Sequence, residues 1–169
     1  MKKFIGICTL LLTFTSCDKK TETAVEKPQV IELSTDYASV FDQFTKQNDT
    51  LYVVNFWATW CQPCVEELPD FMKANDEFKS DKFKMILVSL DKGSDFETKV
   101  KDYIKTNNIS PDVYVLTDNK RMNEWIPKIN KTWSGAIPAT AIYKNGKQVF
   151  FTEGKISYND LKNTVNKFK

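Results

Sequence analysis

Two cysteines two residues apart, in the run Cys61-Gln62-Pro63-Cys64, follow an apolar and aromatic stretch and precede a helical pattern. The apolar run reads as a buried strand, and a helix opens at its carboxyl end. Cys61 therefore stands at or near a helix N-terminus, where unpaired backbone N–H groups and the helix dipole favour an anion. A free thiol titrates near 8.5, so only about 3% is thiolate at neutral pH; a pKa of about 7 raises that to roughly half. The thiolate is the nucleophile, and Cys64, one turn on, can attack the resulting mixed disulfide and release the product. The chemistry implied is dithiol–disulfide exchange, with Cys61 attacking and Cys64 resolving. A structural zinc site wants four Cys or His ligands. The chain has no His and no second closely spaced Cys pair, so no metal is expected. A plain structural disulfide is the blander alternative, and Pro63 with the aromatic approach argues for an exposed helix start instead.

The run Phe56-Trp57-Ala58-Thr59-Trp60-Cys61-Gln62-Pro63-Cys64, followed by Glu67-Leu68-Pro69, resembles the thioredoxin-like, membrane-tethered thiol-disulfide oxidoreductases of the TlpA/ResA type. Downstream, Ile137-Pro138-Ala139-Thr140 resembles that family's cis-proline loop. The resemblance runs from about Val30 to the C-terminus and is specific at these two motifs. It implies a thioredoxin-like α/β three-layer sandwich, a mixed central sheet with helices on both faces. It implies that Pro138 shapes a docking loop and that the Ile137 backbone pairs with an extended substrate, with Trp60 beside it. Thioredoxin itself carries a buried Asp where this chain has Asn55. A neutral amide cannot serve as a general base. Glu67, matching the family's Glu-x-Pro, is the candidate to move the proton instead, and it lies one turn from Cys64. The bland alternative is a solvated surface carboxylate, as Glu66 is expected to be.

Several elements must position these residues. Residues 30–33 form a short strand candidate, and Ser34-Thr35-Asp36 offers a cap for a helix with Tyr37, Val40, Phe41 and Phe44 on one face. A turn at Asn48-Asp49-Thr50 leads into the central strand, residues 51–56. Pro69 should kink the helix that follows the cysteines. Residues 83–90 read as another central strand, joined by a β-α-β crossover. A cap signal over residues 91–95 leads into a helix reaching about Thr106, with Phe96, Val100, Tyr103 and Ile104 inward. Residues 112–116 form a further strand and residues 119–129 a further helical piece. Trp125 and Trp133 are expected to cover the core, with a substrate groove as the lesser alternative. Asn145-Gly146 marks a hairpin between residues 141–144 and 148–152. Ser157 caps a last helix that turns Tyr158, Leu161, Val165 and Phe168 to one side.

The 169 residues suit one domain, with apolar residues at 41% and aromatics at 13%. Lys2-Lys3 and the apolar run over residues 4–14 have the form of a signal peptide, too short to span a bilayer unaided. Phe14-Thr15-Ser16-Cys17 resembles a bacterial lipobox, which implies cleavage after Ser16 and lipidation of Cys17; ordinary secretion is the alternative. Cys8 falls in the discarded segment. Removing residues 1–16 leaves 22 basic and 22 acidic residues, which gives no electrostatic case for nucleic acid. Residues 17–29 are expected as lipid anchor and flexible tether, and residues 30–169 as the thioredoxin-like domain. Twelve tether residues reach at most about 40 Å. The expectation is a monomer needing no cofactor, lipid-anchored on the periplasmic or cell-envelope face of a bacterial membrane. It exchanges disulfides with a protein substrate and draws electrons from an upstream thiol-disulfide donor. By analogy with the family the task is reductive, for instance in cytochrome c maturation. A peroxiredoxin-type peroxidase is the enzymatic rival, but that family places Thr three residues before its reactive Cys, and here Thr59 is two before Cys61. A Cu(I)-binding module is the non-enzymatic rival.

Overall fold

The computed structural model describes residues 28–169. The expected signal segment, Cys17 and all of the tether before Pro28 lie outside the described residues. The chain runs β1 (Ile31–Ser34), α1 (Tyr37–Phe41), β2 (Leu51–Trp57), α2 (Gln62–Phe78) and β3 (Phe83–Ser89). It continues through α3 (Lys101–Thr106), β4 (Asp112–Leu116), α4 (Met122–Ile129), β5 (Ala139–Lys144), β6 (Lys147–Glu153) and α5 (Tyr158–Phe168). The six strands form one sheet in the order β1-β4-β3-β2-β5-β6. The first four in that order are parallel, and β5 and β6 add an antiparallel hairpin to β2.

Strand alternation divides the core into two layers. Tyr52, Val54 and Phe56 of β2 face one side, where they meet Val40, Phe44, Trp125 and Ile129 from the α1 and α4 region. Leu51 and Val53 face the other side with Phe71 and Phe78 of α2 and Leu161 and Val165 of α5. Trp57, on the same side, packs with Phe96, Val100 and Ile104. Helices thus cover both faces of a mixed sheet, as the resemblance implies. β2 is buried along its whole length, as a central strand covered on both sides must be. Trp125 and Trp133 are core residues, 0% and 5% exposed, so neither lines an open groove.

Local signals account for most element ends. Asp36 caps α1 by accepting the Ser39 N–H, and Ser157 caps α5 by accepting the Asp160 N–H. Asn145 and Gly146 turn the β5–β6 hairpin with φ of 50° and 71°. A Cβ at Gly146 would also lie 3.1 Å from the Thr45 carbonyl, so glycine fits there on two counts. One expectation needs correcting. Residues 91–95 do not cap a regular helix: the chain passes through a 3₁₀ turn at Gly93–Asp95 and a π turn at Phe96–Val100 before α3 begins. Asp91 is turned inward, away from any capping position, by bonds described below. Gln29, at the end of the expected tether, already donates to the Ile109 and Pro111 carbonyls, at 2.9 and 2.6 Å.

Candidate functional site

β2 stops at Trp57, and the chain turns through Ala58, Thr59 and Trp60 into α2. The Cys61 N–H closes that turn on the Ala58 carbonyl at 3.1 Å. Cys61 is the N-cap residue of α2, in extended conformation, and Pro63 lies in the first turn, where its missing N–H costs nothing. Cys61 and Cys64 are joined in a disulfide with Cα atoms 5.3 Å apart. Cys64 is fully buried and Cys61 is 6% exposed, so only Cys61 offers its sulfur to an incoming group. When the pair is reduced, a thiolate at Cys61 faces the free N–H groups and the positive end of a 17-residue helix.

The second motif comes to the same place from the other side. The Ile137–Pro138 peptide is cis. The Ile137 carbonyl oxygen lies 3.7 Å from the Cys61 sulfur. Pro138 is buried, whereas Ile137 is half-buried and Ala136 exposed. The loop before the proline is tied down at both ends. Glu153 accepts the Ser134 N–H at 2.8 Å and its hydroxyl at 2.7 Å, the Trp133 indole donates to the Ala136 carbonyl, and the Gly154 N–H donates to the Pro138 carbonyl. Gly135 takes φ of 92° in this loop. Trp60, next to Cys61, is 66% exposed, the most exposed of the large apolar side chains among the described residues. Cys61, Trp60, Ile137 and Pro138 thus share one end of the sheet.

Glu67 is not a solvated surface residue. It is 1% exposed, and its two oxygens accept the Asn55 amide at 2.8 Å and the Ile156 N–H at 3.0 Å. Burial pushes its pKa up to about 7, although the Ile156 and Asn55 hydrogen bonds pull the other way. These bonds run to Asn55 and Ile156 rather than to a cysteine; Glu67 stands on α2 one turn after Cys64. Asn55 also donates to Thr140 at 3.3 Å, across the β2–β5 pair. Glu66 is exposed and paired with Lys155 at 2.7 Å, as a surface residue of the same helix should be.

Sequence reasoning missed three residues at this end of the sheet. Asp91, fully buried, accepts the Thr59 N–H at 3.0 Å and the Thr59 hydroxyl at 2.6 Å. Thr140 holds Asn55, and Glu153 holds Ser134. Thr140 stood in the proline motif, just before the strand expected from residue 141; β5 in fact begins at Ala139, which sets Thr140 opposite Asn55. Asp91 and Glu153 make their bonds across 32 and 19 residues, and no local pattern announces them.

The AhpC/TSA family model matches residues 32–150. The chain belongs to the AhpC/TSA family. It is 32% identical over 73 residues to sporulation thiol-disulfide oxidoreductase A of Bacillus subtilis (strain 168), a match that takes in 43% of this chain and 44% of that protein. The chain thus spans less than half the length of that curated relative. Among solved structures it is similar to a thiol:disulfide interchange protein of the thioredoxin family from Chlorobium tepidum TLS. There the TM-score is 0.58 at 28% identity, covering 70% of this chain and 79% of that one. StoA from Bacillus subtilis matches with a TM-score of 0.56 at 27% identity, covering 70% and 84%. The fold is thioredoxin-like. Among the described residues no helix is long and apolar enough to cross a membrane.

Proposed function

We propose that this protein is an extracytoplasmic thiol-disulfide oxidoreductase that reduces disulfides in protein substrates. The observation that carries the reading is the Cys61–Cys64 disulfide at the N-terminus of α2, with the Ile137 carbonyl facing the less buried sulfur. The thiol-disulfide names of its relatives in Bacillus and Chlorobium support it.

In the reduced protein the Cys61 thiolate attacks one sulfur of a substrate disulfide. A bond forms between that sulfur and Cys61, the substrate S–S bond breaks, and the leaving thiolate takes a proton from water. Cys64 then loses its proton and attacks the Cys61 sulfur, which releases the second substrate thiolate. The substrate gains two electrons, and the protein is left with the Cys61–Cys64 disulfide present in this structure. Glu67, titrating near 7, is ionised enough at neutral pH to accept the Cys64 proton. Trp60 and the Ile137 backbone form the docking edge, with the cis Pro138 shaping it. An upstream dithiol protein restores the reduced state.

The rest of the reading concerns where the exchange takes place. The N-terminal segment, with Cys17 lipidated after removal of residues 1–16, would tether a monomeric domain of residues 30–169 close to the outer face of a bacterial membrane. Apocytochrome c cysteines are one substrate that fits. Changing Cys17→Ser should release the protein from the membrane fraction; an unmodified mature N-terminus by mass spectrometry contradicts the anchor.

The activity is tested by giving the reduced protein insulin as a disulfide substrate and, separately, hydrogen peroxide. The expected result is Cys61-dependent reduction of insulin with no Cys61-dependent loss of peroxide. Peroxide consumption without exchange would instead favour the peroxidase chemistry of the rival reading.

A further inference from the structure

β2 and β3 are in register to their ends, with Trp57 beside Ser89. One bond beyond, the Leu90 N–H donates to the Trp57 carbonyl at 2.8 Å. After that the strands part, and the Thr59 amide, in the turn toward Cys61, has left the sheet ladder. The Asp91 carboxylate takes its place as partner. One oxygen accepts the Thr59 hydroxyl at 2.6 Å, and the other accepts the Thr59 N–H at 3.0 Å and the Ser89 hydroxyl at 2.7 Å. The Ser89 hydroxyl in turn accepts the Asp91 N–H at 3.1 Å, closing a local ring of bonds at the end of β3.

Asp91 is fully buried, and the described ion pairs give it no cationic partner. A buried carboxylate is costly to desolvate unless its oxygens are hydrogen-bonded, and here they are bonded to Thr59 and Ser89. What it gains is a double grip on one residue, backbone and side chain together. That residue is two before the cysteine whose sulfur is accessible, and one before exposed Trp60. The turn it fixes is the one that the Cys61 N–H closes on the Ala58 carbonyl.

We propose that Asp91 is a positioning residue for the dithiol: by gripping Thr59 it holds the turn that keeps Cys61 seated at the α2 N-terminus. Loosening the grip lets Cys61 drift from the free N–H groups that stabilise its thiolate, so the reduced cysteine becomes less nucleophilic. The consequence for exchange rests on the proposed function; the seating of Cys61 does not.

The test is the rate of Cys61 alkylation by iodoacetamide near neutral pH in the reduced full-length protein. It needs no disulfide substrate, so it reads the inference separately from the exchange reading. Thr59→Val, which removes the hydroxyl bond and keeps the backbone one, should slow alkylation about fivefold or more, since small misplacements of reacting groups cost large factors. Thr59→Ser should stay within about twofold of wild type, because it restores the donor. In an Asp91→Ala background Thr59→Val should add less than about twofold, the signature of two residues acting through one contact. A Thr59→Val protein that alkylates at the wild-type rate overturns the proposal, even with a lower melting temperature. So does an undiminished effect of Thr59→Val in the Asp91→Ala background. If Asp91→Ala does not fold, the comparison of Thr59→Val with Thr59→Ser decides alone. Insulin reduction failing in wild type while the alkylation pattern holds contradicts the proposed function and leaves the positioning role supported.

Discussion

At the scale of the residue, the buried carboxyl of Glu67 ties chemistry to stability. Its pKa of about 7 lies above the 4.5 of a free carboxyl, chiefly because burial disfavours the charge. The sign follows directly. The folded protein binds this proton more tightly than the unfolded chain, so the contribution is fully present below about pH 4.5 and is lost as pH rises to about 7. Glu67→Gln should therefore remove a fall in stability between those limits of at most about 3 kcal/mol, read from urea unfolding at several pH values. A wild-type and a Gln profile that run parallel contradict this. The same substitution should slow insulin reduction about tenfold or more at neutral pH, while Glu66→Gln leaves it unchanged. Tracking of the two variants across pH would return Glu67 to a purely structural role. Sequence alone pointed to Glu67 and to Asn55 as separate clues. That they are hydrogen-bonded to each other depends on the register of α2 over β2, which no spacing along the chain contains.

Among the elements, those set by adjacent residues were legible and those set by distant ones were not. The Asn145-Gly146 hairpin and the Asp36 and Ser157 caps each depend on a few neighbouring residues, and each stands where the sequence suggests. The entry to α3 does not, because Asp91 answers to Thr59 across 32 residues instead of capping the helix that follows it. The Ser157 cap gives an element-scale prediction. It fixes the start of α5 directly after Ile156, whose N–H seats Glu67. Ser157→Ala should cost about 1 kcal/mol of stability in urea unfolding, the ordinary value of a lost cap. Insulin reduction should change far less than in Glu67→Gln, because the Ile156 amide keeps its partner.

For the whole molecule, the sheet is the frame that carries two loops, far apart in the chain, to one end. β2 delivers Cys61 and its antiparallel neighbour β5 begins just after Pro138, so the β2–β5 pairing sets the two motifs face to face. Both motifs were legible as short strings, and the continuous apolar runs of the two central strands announced a covered sheet. The strand order and the antiparallel place of β5 beside β2 were not legible, since hydrophobic pattern alone does not choose a strand's neighbours; the resemblance implied only a mixed sheet. Phe71, on α2, packs that helix against Leu51 and Val53 of the sheet with no exposure at all. Phe71→Ala should cost about 3–5 kcal/mol, a large share of the stability of a domain this size, and a midpoint shift in urea measures it.

The central claim is that Cys61 attacks and Cys64 resolves. It is tested most directly by incubating Cys64→Ser and Cys61→Ser proteins, each reduced, with a disulfide-bonded protein substrate and analysing the products by non-reducing mass spectrometry. The account predicts that Cys64→Ser accumulates a mixed disulfide through Cys61, because its resolving partner is gone, while Cys61→Ser, in which the remaining cysteine of the pair is fully buried, forms none through Cys64. Adducts that accumulate on Cys64 in the Cys61→Ser protein, with none in Cys64→Ser, would reverse the roles and contradict the account.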